Sequence, residues 1–309
     1  MTLISTAKTG TTNWPDFAGA IGRYVSLLKL RPMSVVIYSA IIGLIAARGS
    51  LDIFSSIIAI MCIAAGGGGS AALNMWYEAD IDARMARTAN RALPAGKVKA
   101  TRALVFGSVL CLGSIAIMGL VASWTAAGVL AATIFAYFGL YTVILKRRTS
   151  LNVVIGGSLA GVLTPLSGWA AATGEISTAA ITMFIYVLFW TPPHVWAQAT
   201  YRMADYAQAG VPMLPATAGI TTTQHWILAF TIIHAAAATL PWFTGDAGLF
   251  YLAAASLAGI FLLAKAASFV TQSERRDVMK GAREFFRISI LYVTVVLTAL
   301  AIDRTILFG

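Results

Sequence analysis

DIFSSIIAIMCIAAGGGGSAALNMWYEADIDARMARTANR, residues 52–91, joins a long apolar run to a dense group of charges. Residues 53–77 contain no charged side chain, whereas residues 78–91 contain three carboxylates and three arginines. A helix needs about 20 apolar residues to cross a bilayer, so we predict that residues 52–76 span a membrane. The four glycines at 66–69 predict close helix packing within that span.

The whole chain has the composition of an integral membrane protein. Of its 309 residues, 59% are hydrophobic and only 11% are charged, against about 25% charged residues in soluble domains. The apolar stretches of the chain are too long for the strands of a membrane β-barrel, so we predict an all-α bundle. Both cysteines, Cys62 and Cys111, lie in apolar runs and are predicted to be core residues. Nine transmembrane helices are predicted, at 33–48, 52–76, 102–122, 125–145, 151–173, 177–198, 223–242, 247–270 and 285–302.

The basic residues predict the orientation. With these nine spans, 19 Lys and Arg side chains fall on one side of the membrane and 2 on the other, while Lys265 lies inside a span. By the positive-inside rule, the N-terminus is cytoplasmic and the C-terminus is on the outer side of a cell (inner) membrane. We expect residues 1–25 to form a flexible tail without a cleavable signal peptide, and 26–309 to form one domain. The excess of basic residues lies along the cytoplasmic face of the membrane, where it would attract anionic lipid headgroups. The expected partner is therefore the lipid bilayer, and no nucleic acid is implied.

Two polar loops on the cytoplasmic face, 77–101 and 199–222, are longer than the others. They lie four spans apart, which indicates an internal duplication of a four-helix unit. The repeat predicts that both loops form polar caps that meet over a central cavity.

The first loop begins with an acidic pattern. Asn74, Glu78 and Asp82 have i, i+4, i+8 spacing, so they share one face of a helix. Oxygen ligands of this kind suit Mg²⁺, which usually also binds a substrate phosphate. Asp80 faces the other way and is expected to pair with Arg84 four residues later. A solvated helix end is the alternative, but acids at a membrane boundary are costly unless they are paired or functional.

The second loop carries Asp205, flanked by Tyr201, Arg202 and Tyr206. Two facing acidic segments with arginines beside them suit a diphosphate bridged by Mg²⁺. The cavity between apolar spans suits a hydrocarbon, so the predicted ligand is a prenyl diphosphate.

Residues 74–98, NMWYEADIDARMARTANRALPAGKV, resemble the first acidic motif of the UbiA-type intramembrane prenyltransferases. The chain is most similar to the branch of that family that farnesylates haem. The resemblance implies nine helices around a lipid-open cavity and the conversion of haem b and farnesyl diphosphate to haem O with Mg²⁺. One departure is that the second motif supplies a single acid, Asp205, where many members carry two or three. Four other stretches carry the likeness: LKLRP at 28–32, YTVILKRRTSLNVVIGG at 141–157, WTPPHVWAQATYRMADYAQAGVPMLP at 190–215 and REFFRISILY at 283–292.

The resemblance also implies roles for single residues. Mg²⁺ is expected on Asn74, Glu78, Asp82 and Asp205. The expected diphosphate partners, each also interpretable as a topology charge, are Arg87, Lys146, Arg147 and Arg202. The expected contacts of the prenyl chain or haem are Tyr141, Trp190, His194, Trp196 and Tyr201. A haem-processing or oxidase-assembly protein is a further expected partner.

His194 follows Pro192 and Pro193, which are expected to break the sixth span and open a pocket near the inner boundary. Its alternative interpretation is a hydrogen-bonded core histidine.

Two other functions are compatible with parts of the sequence. Another UbiA-type prenyltransferase could use a quinone precursor or chlorophyllide, although the 190–215 stretch argues against it. A transporter would account for the duplication, the glycines within the spans and Lys265. The position of the acids at the inner boundary favours phosphate chemistry.

Overall fold

The computed structural model describes residues 17–307, which form fourteen α-helices and three π-helical segments with no strand. The α-helices are α1 Phe17–Leu27, α2 Leu30–Ala47, α3 Ile53–Tyr77, α4 Ala79–Arg84, α5 Ala100–Val121, α6 Trp124–Ile134, α7 Ser158–Thr173, α8 Thr178–Tyr201, α9 Met203–Gln208, α10 Leu214–Thr217, α11 Ile220–Ala237, α12 Leu240–Phe243, α13 Leu249–Val270 and α14 Arg275–Ile302. The π-helical segments are Phe135–Leu145, Val153–Gly157 and Asp303–Leu307.

Eight helices of the described part are long and apolar enough to cross a membrane, and a bent pair makes up to nine. That pair is α1 and α2, which meet at 65°. The all-α membrane architecture is therefore confirmed. Helix α1 covers the end of the segment predicted as a tail, 1–25; residues 1–16 of that segment lie outside the described part. The last helix begins at Arg275 rather than at 285, because its charged first turns continue the helix beyond the apolar stretch.

Helices α2 and α7 pack with almost no space between their backbones. A Cβ added to Gly43, Gly49 or Gly168 would lie 2.0 Å from a carbonyl oxygen of the facing segment. A residue with any side chain would force these helices apart. The glycines of α3 also pack closely, since a Cβ on Gly69 would lie 2.8 Å from the carbonyl oxygen of Gly107 on α5. The packing role predicted for the 66–69 run is thus confirmed.

The π-helical segment after α6 has hydrogen bonds between residues five apart. The Lys146 amide donates to the Tyr141 carbonyl, and the Thr142 hydroxyl donates to the Tyr137 carbonyl. Such wide turns are uncommon and are frequent at functional sites. Here they bring the rings of Tyr137 and Tyr141 into a stack with centroids 6.1 Å apart.

The two predicted cap loops meet. Ile81 and Met85, from the first loop, form one buried apolar cluster with Val211 and Met213 from the second. This contact holds α4 against the segment that follows α8 and encloses the charged residues between them.

The expected break in the sixth span is wrong. Helix α8 runs without interruption from Thr178 to Tyr201, through Pro192 and Pro193. Each proline lacks an N–H, so its carbonyl partner four residues earlier loses a hydrogen bond, but the φ of proline is compatible with a helix. The helix therefore continues, and His194 lies within it.

Both cysteines are buried and free, as predicted.

Candidate functional site

The acidic pattern lies where α3 gives way to α4. Asn74 is in the last turn of α3, Glu78 is the junction residue, and Asp82 is on α4. The Glu78 amide donates to the Asn74 carbonyl, and the Asp82 amide donates to the Glu78 carbonyl, so helical spacing is kept across the junction. All three residues are buried, with exposures of only 2%, 2% and 3%. They are not a solvated helix end.

Each carboxylate of the pattern has a basic partner from elsewhere in the chain. Lys146 donates to Glu78 Oε2 over 2.5 Å. Arg91 Nη1 donates to both oxygens of Asp82, over 2.9 and 2.7 Å. Burial acts to lower the pKa of Lys146, but the charge and hydrogen bond of Glu78 outweigh it, so this pKa lies above its ordinary value. These pairs compensate the cost of burying the charges.

Asn74 has a basic partner as well. Its Oδ1 accepts from Lys29 over 2.5 Å, and its Nδ2 donates to Thr142 over 3.0 Å. Lys29 stands in the bend between α1 and α2 with a left-handed backbone, at φ 50°. Burial, and then repulsion by Arg91, lowers the pKa of Lys29 to about 7. Lys29 is therefore a buried amine within electrostatic range of both the basic and the acidic members of the group.

One oxygen of this group has no partner. Glu78 Oε1 is buried and accepts no hydrogen bond in the described part of the chain. A buried acceptor left without a donor is costly, and a cation would satisfy it. Mg²⁺ commonly binds one or two carboxylates together with substrate phosphates, so Glu78 and Asp82 fit this ion.

Asp205 does not join that group. Among residues 17–307, no three Asp, Glu, His or Cys side chains gather as a metal site. Asp205 is half-buried on α9, and its nearest basic partner is Arg202 at 4.0 Å. Together with Tyr201 these residues line a separate cavity. The neighbouring Tyr206 does approach the first group, since it acts electrostatically on Lys146.

Asp80 pairs with a different arginine from the one predicted. Its carboxylate accepts from Arg147 over 2.7 and 2.9 Å, and not from Arg84. Arg147 arrives from the loop before α7 and also donates to the Tyr77 carbonyl, whereas Arg84 ends α4. The hydrogen bonds from Arg147 lower the pKa of Asp80. Arg147, predicted to bind diphosphate, is thus committed to a partly exposed ion pair.

Arg87 follows α4 on the exposed side of the loop. Partial desolvation, and then repulsion by Arg91, lowers the pKa of Arg87. Asp82, Tyr206 and Arg202 also act on it electrostatically, so Arg87 lies within electrostatic range of both cap loops. Its role as a diphosphate partner stays a prediction.

The predicted aromatic residues fall into two groups. Tyr141 is next to the acidic pattern, with Lys146 Nζ 5.7 Å from the centre of its ring. Trp196 instead packs in the core against Trp226 and Phe230, and its exposure is only 2%.

His194 lies in a stack of three rings between α8 and α14. Its centroid is 4.4 Å from those of both Trp190 and Phe286. His194 Nδ1 is 2.7 Å from the Ser289 hydroxyl, and the Trp190 indole donates to the Ser289 carbonyl. The interaction with Ser289 fixes the orientation of the imidazole. A role in haem contact stays a prediction.

Lys265 forms an ion pair with Glu284 on the adjacent helix α14, over 2.7 Å, and both side chains are partly exposed. This pairing explains the charge without a transport pathway.

Three contributors to the site were not among the predicted residues. They are Lys29, Arg91 and Thr142. Lys29 belongs to the LKLRP stretch, which was the available signal. The contact of Thr142 with Asn74 depends on the π-helical turn, which the sequence does not reveal.

Known proteins resemble this chain in sequence and in fold. The sequence profile described as "UbiA prenyltransferase family" matches residues 35–291. Two relatives are named "Protoheme IX farnesyltransferase". The protein from Rhodopseudomonas palustris is 44% identical over 92% of this chain and 90% of its own length, and that from Rhizobium johnstonii is 47% identical over 91% and 89%.

Solved structures share the fold at low identity. A digeranylgeranylglyceryl phosphate synthase structure has a TM-score of 0.75 at 18% identity, covering 92% of this chain and 98% of its own. A UbiA homolog from Archaeoglobus fulgidus, described as bound to GPP and Mg²⁺, has a TM-score of 0.63 at 14% identity, covering 89% and 99%.

Proposed function

The chain belongs to the UbiA prenyltransferase family, and from this we propose that it transfers a farnesyl group from farnesyl diphosphate to protoheme IX (haem b). A vinyl carbon of the porphyrin forms a bond to C1 of the farnesyl group, whose bond to diphosphate breaks. Water then adds to the cation left on the porphyrin side and loses a proton, so the products are haem O and diphosphate. The names of the two protoheme IX farnesyltransferase relatives support this acceptor.

The observation that carries the proposal is the excess of positive charge in a buried site. Lys29, Arg91 and Lys146 surround only two carboxylates, Glu78 and Asp82. Burial is the main cause of the low pKa of Lys29, and repulsion by Arg91 contributes to it. A diphosphate brings the missing negative charge and accepts several charge-assisted hydrogen bonds. The group lies at the end of membrane-spanning helices, where the attached prenyl chain can enter the apolar bundle.

Glu78 and Asp82, with Asn74 beside them, would hold Mg²⁺ at this position. The ion, when bound, neutralises charge on the departing diphosphate. The UbiA homolog described as bound to GPP and Mg²⁺ supports this need. Lys146 and Arg91 orient the two carboxylates, and both can donate to phosphate oxygens. Asp205 as a further metal ligand stays a proposal on sequence grounds alone.

Departure of diphosphate leaves an allylic cation on the farnesyl group. Tyr137 and Tyr141 form a stacked pair beside Lys146. A cation over such a ring gains about 0.5–2 kcal/mol. Both rings are only partly exposed, so they would also limit the access of water to the cation until the porphyrin vinyl carbon attacks.

The protein is a multi-pass membrane protein, and we propose that its N-terminus and both cap loops face the cytoplasm of a cell inner membrane. The distribution of 19 basic residues against 2 supports this orientation. Farnesyl diphosphate then enters from the cytoplasmic side, and haem O passes to a haem-processing or oxidase-assembly protein.

The test is an assay with purified protein, Mg²⁺, radiolabelled farnesyl diphosphate and protoheme IX, with products identified by mass spectrometry. We expect haem O and diphosphate in equal amounts. The same assay with a quinone precursor as acceptor tests the alternative that the chain is another UbiA-type prenyltransferase. Movement of substrate across vesicles that contain the protein, without a new product, would indicate a transporter. Absence of haem O under all conditions, from folded protein, would refute the proposal.

A further inference from the structure

A cavity of about 590 Å³ lies between the end of α8, α9 and the first half of α14. Neither Glu78 nor Asp82 lines it, and none of its residues takes part in the Glu78–Lys146 or Asp82–Arg91 pair. Its lining residues are Tyr201, Arg202, Ala204, Asp205, Arg283, Phe286 and Arg287.

The lining is positively charged. Three arginines face a single carboxylate, Asp205, which leaves an excess of two positive charges. Within residues 17–307, Arg283 and Arg287 form no salt bridge, and Arg202 reaches Asp205 only at 4.0 Å. The Arg202 Nε is buried and has no hydrogen-bond partner in that range. Arg283 and Arg287 are exposed at the cavity wall, so the buried, unpartnered Nε of Arg202 is the donor that most needs an acceptor. Three arginines around one cavity favour an anionic ligand that accepts from planar forks, such as a carboxylate.

The cavity also has flat aromatic walls. Arg202 and Arg283 both lie over the Tyr201 ring, with guanidinium carbons 5.3 and 5.6 Å from its centre. Tyr201 contacts Phe286 in a T-shaped arrangement at 5.8 Å, and Phe286 also stacks on His194. Phe286 therefore lies in the wall between the charged cavity and the ring stack inside the bundle. Such a site suits a flat aromatic molecule with acidic groups along one edge.

We propose that this cavity binds the two propionate groups of the porphyrin acceptor, through Arg202, Arg283 and Arg287. The inference rests on the proposed function, and it reassigns Arg202 from diphosphate to propionate. Two propionates carry two negative charges, which match the excess of two on the cavity wall.

The anchoring has a consequence for the reaction. In protoheme IX the propionates lie on one edge of the macrocycle and the vinyl groups on the opposite edge. Propionates held at the inner boundary direct the vinyl edge into the bundle. Arg87 lies within electrostatic range of both Asp82 and Arg202, so the two sites are neighbours and a vinyl carbon can approach the farnesyl group.

The experiment compares protoheme IX with its dimethyl ester, which keeps the vinyl groups and lacks both charges. KM for each acceptor is measured with wild type, with the double variant Arg283→Gln/Arg287→Gln and with Arg275→Gln. Arg275 is an exposed arginine of the same helix outside the cavity lining, which makes it a matched control.

We expect wild type and Arg275→Gln to prefer the free acid by about tenfold or more in KM, the effect of one or two charge-assisted hydrogen bonds. The double variant should lose that preference, while its KM for farnesyl diphosphate, which does not depend on the cavity, changes by less than about threefold. Arg283→Lys, which keeps the charge, should retain part of the preference. Circular dichroism and thermal melting confirm that the variants are folded.

Two results would overturn the inference and leave the proposed function standing. In the first, wild type forms haem O but shows no preference for the free acid over the ester. In the second, the preference is present in wild type and survives in the double variant. A loss of activity that follows anionic lipid content rather than the acceptor's carboxylates would assign the cavity to lipid headgroups and overturn it too. Failure of wild type to make haem O would count against the proposed function itself.

Discussion

Replacement of Glu78 by glutamine is the most direct test of the candidate active site. The substitution preserves shape and removes one charge from a side chain with 2% exposure. Its Oε2 partner, Lys146, then remains buried without a counter-charge, and the unpartnered Oε1 no longer offers a carboxylate to a cation. The loss should appear in both stability and catalysis.

The expected loss of stability and the expected loss of catalytic rate can each be given a magnitude. Loss of one partner of a buried ion pair costs about 3–5 kcal/mol of stability. Loss of one preorganised group that stabilises developing charge costs about 3–4 kcal/mol of activation free energy, or about 10²–10³-fold in kcat. Glu78→Gln/Lys146→Met removes both charges, so it should recover most of the stability and none of the activity.

The assay is the initial rate of haem O formation at several Mg²⁺ concentrations, with thermal melting of the same samples. Glu175→Gln is the control, because Glu175 is exposed in the turn between α7 and α8 and away from both cap loops. The assignment of Glu78 would be refuted if Glu78→Gln kept more than half of the wild-type rate and showed the same dependence of that rate on Mg²⁺ concentration.

Three further substitutions follow from the structure. Arg91→Gln removes the donor that holds both oxygens of Asp82, so KM for farnesyl diphosphate should rise about tenfold, while an unchanged KM would exclude Arg91 from the site. Arg147→Gln breaks only a partly exposed pair and should change stability by less than about 1 kcal/mol and kcat by less than about twofold; a large fall in kcat would restore its predicted diphosphate role. Gly168→Ala places a Cβ 2.0 Å from a carbonyl oxygen of α2 and should destabilise the protein by about 1–3 kcal/mol, measured by thermal melting. Gly128→Ala is the control and should not destabilise it, because nothing lies within 4 Å of the added carbon. Equal melting temperatures of the two variants would contradict the packing described.

The sequence predicted the membrane architecture because the apolar stretches and the charged loops alternate so regularly. The acidic pattern was predictable for a local reason, since i, i+4 spacing on a helix needs no knowledge of the rest of the fold. The structure agrees for Glu78 and Asp82, whose burial rules out a solvated helix end.

Two of the basic partners were less predictable, because they reach the site over a long separation in sequence. Lys29 is 45 residues from Asn74, and Lys146 is 68 residues from Glu78. The error over Asp80 has the same origin. Helical spacing favoured Arg84, but a tertiary contact brought Arg147 closer.

The prolines of α8 show the limit of a local rule. A proline pair predicts a break because it removes two backbone donors, yet α8 continues through it to Tyr201. The indole of Trp190 and the imidazole of His194 both bond to Ser289 of α14, and such tertiary contacts are outside the reach of a local rule.

The glycine contacts between α2 and α7 bear on how lipid-soluble molecules enter and leave. Backbones that touch without intervening side chains form a sealed seam, since no rotamer change can open a gap there. An acceptor as wide as a porphyrin, and a product that carries an added C15 tail, must therefore pass elsewhere in the wall, between helices separated by movable side chains. The rigid seam thereby sets the direction from which the enzyme exchanges material with the surrounding bilayer.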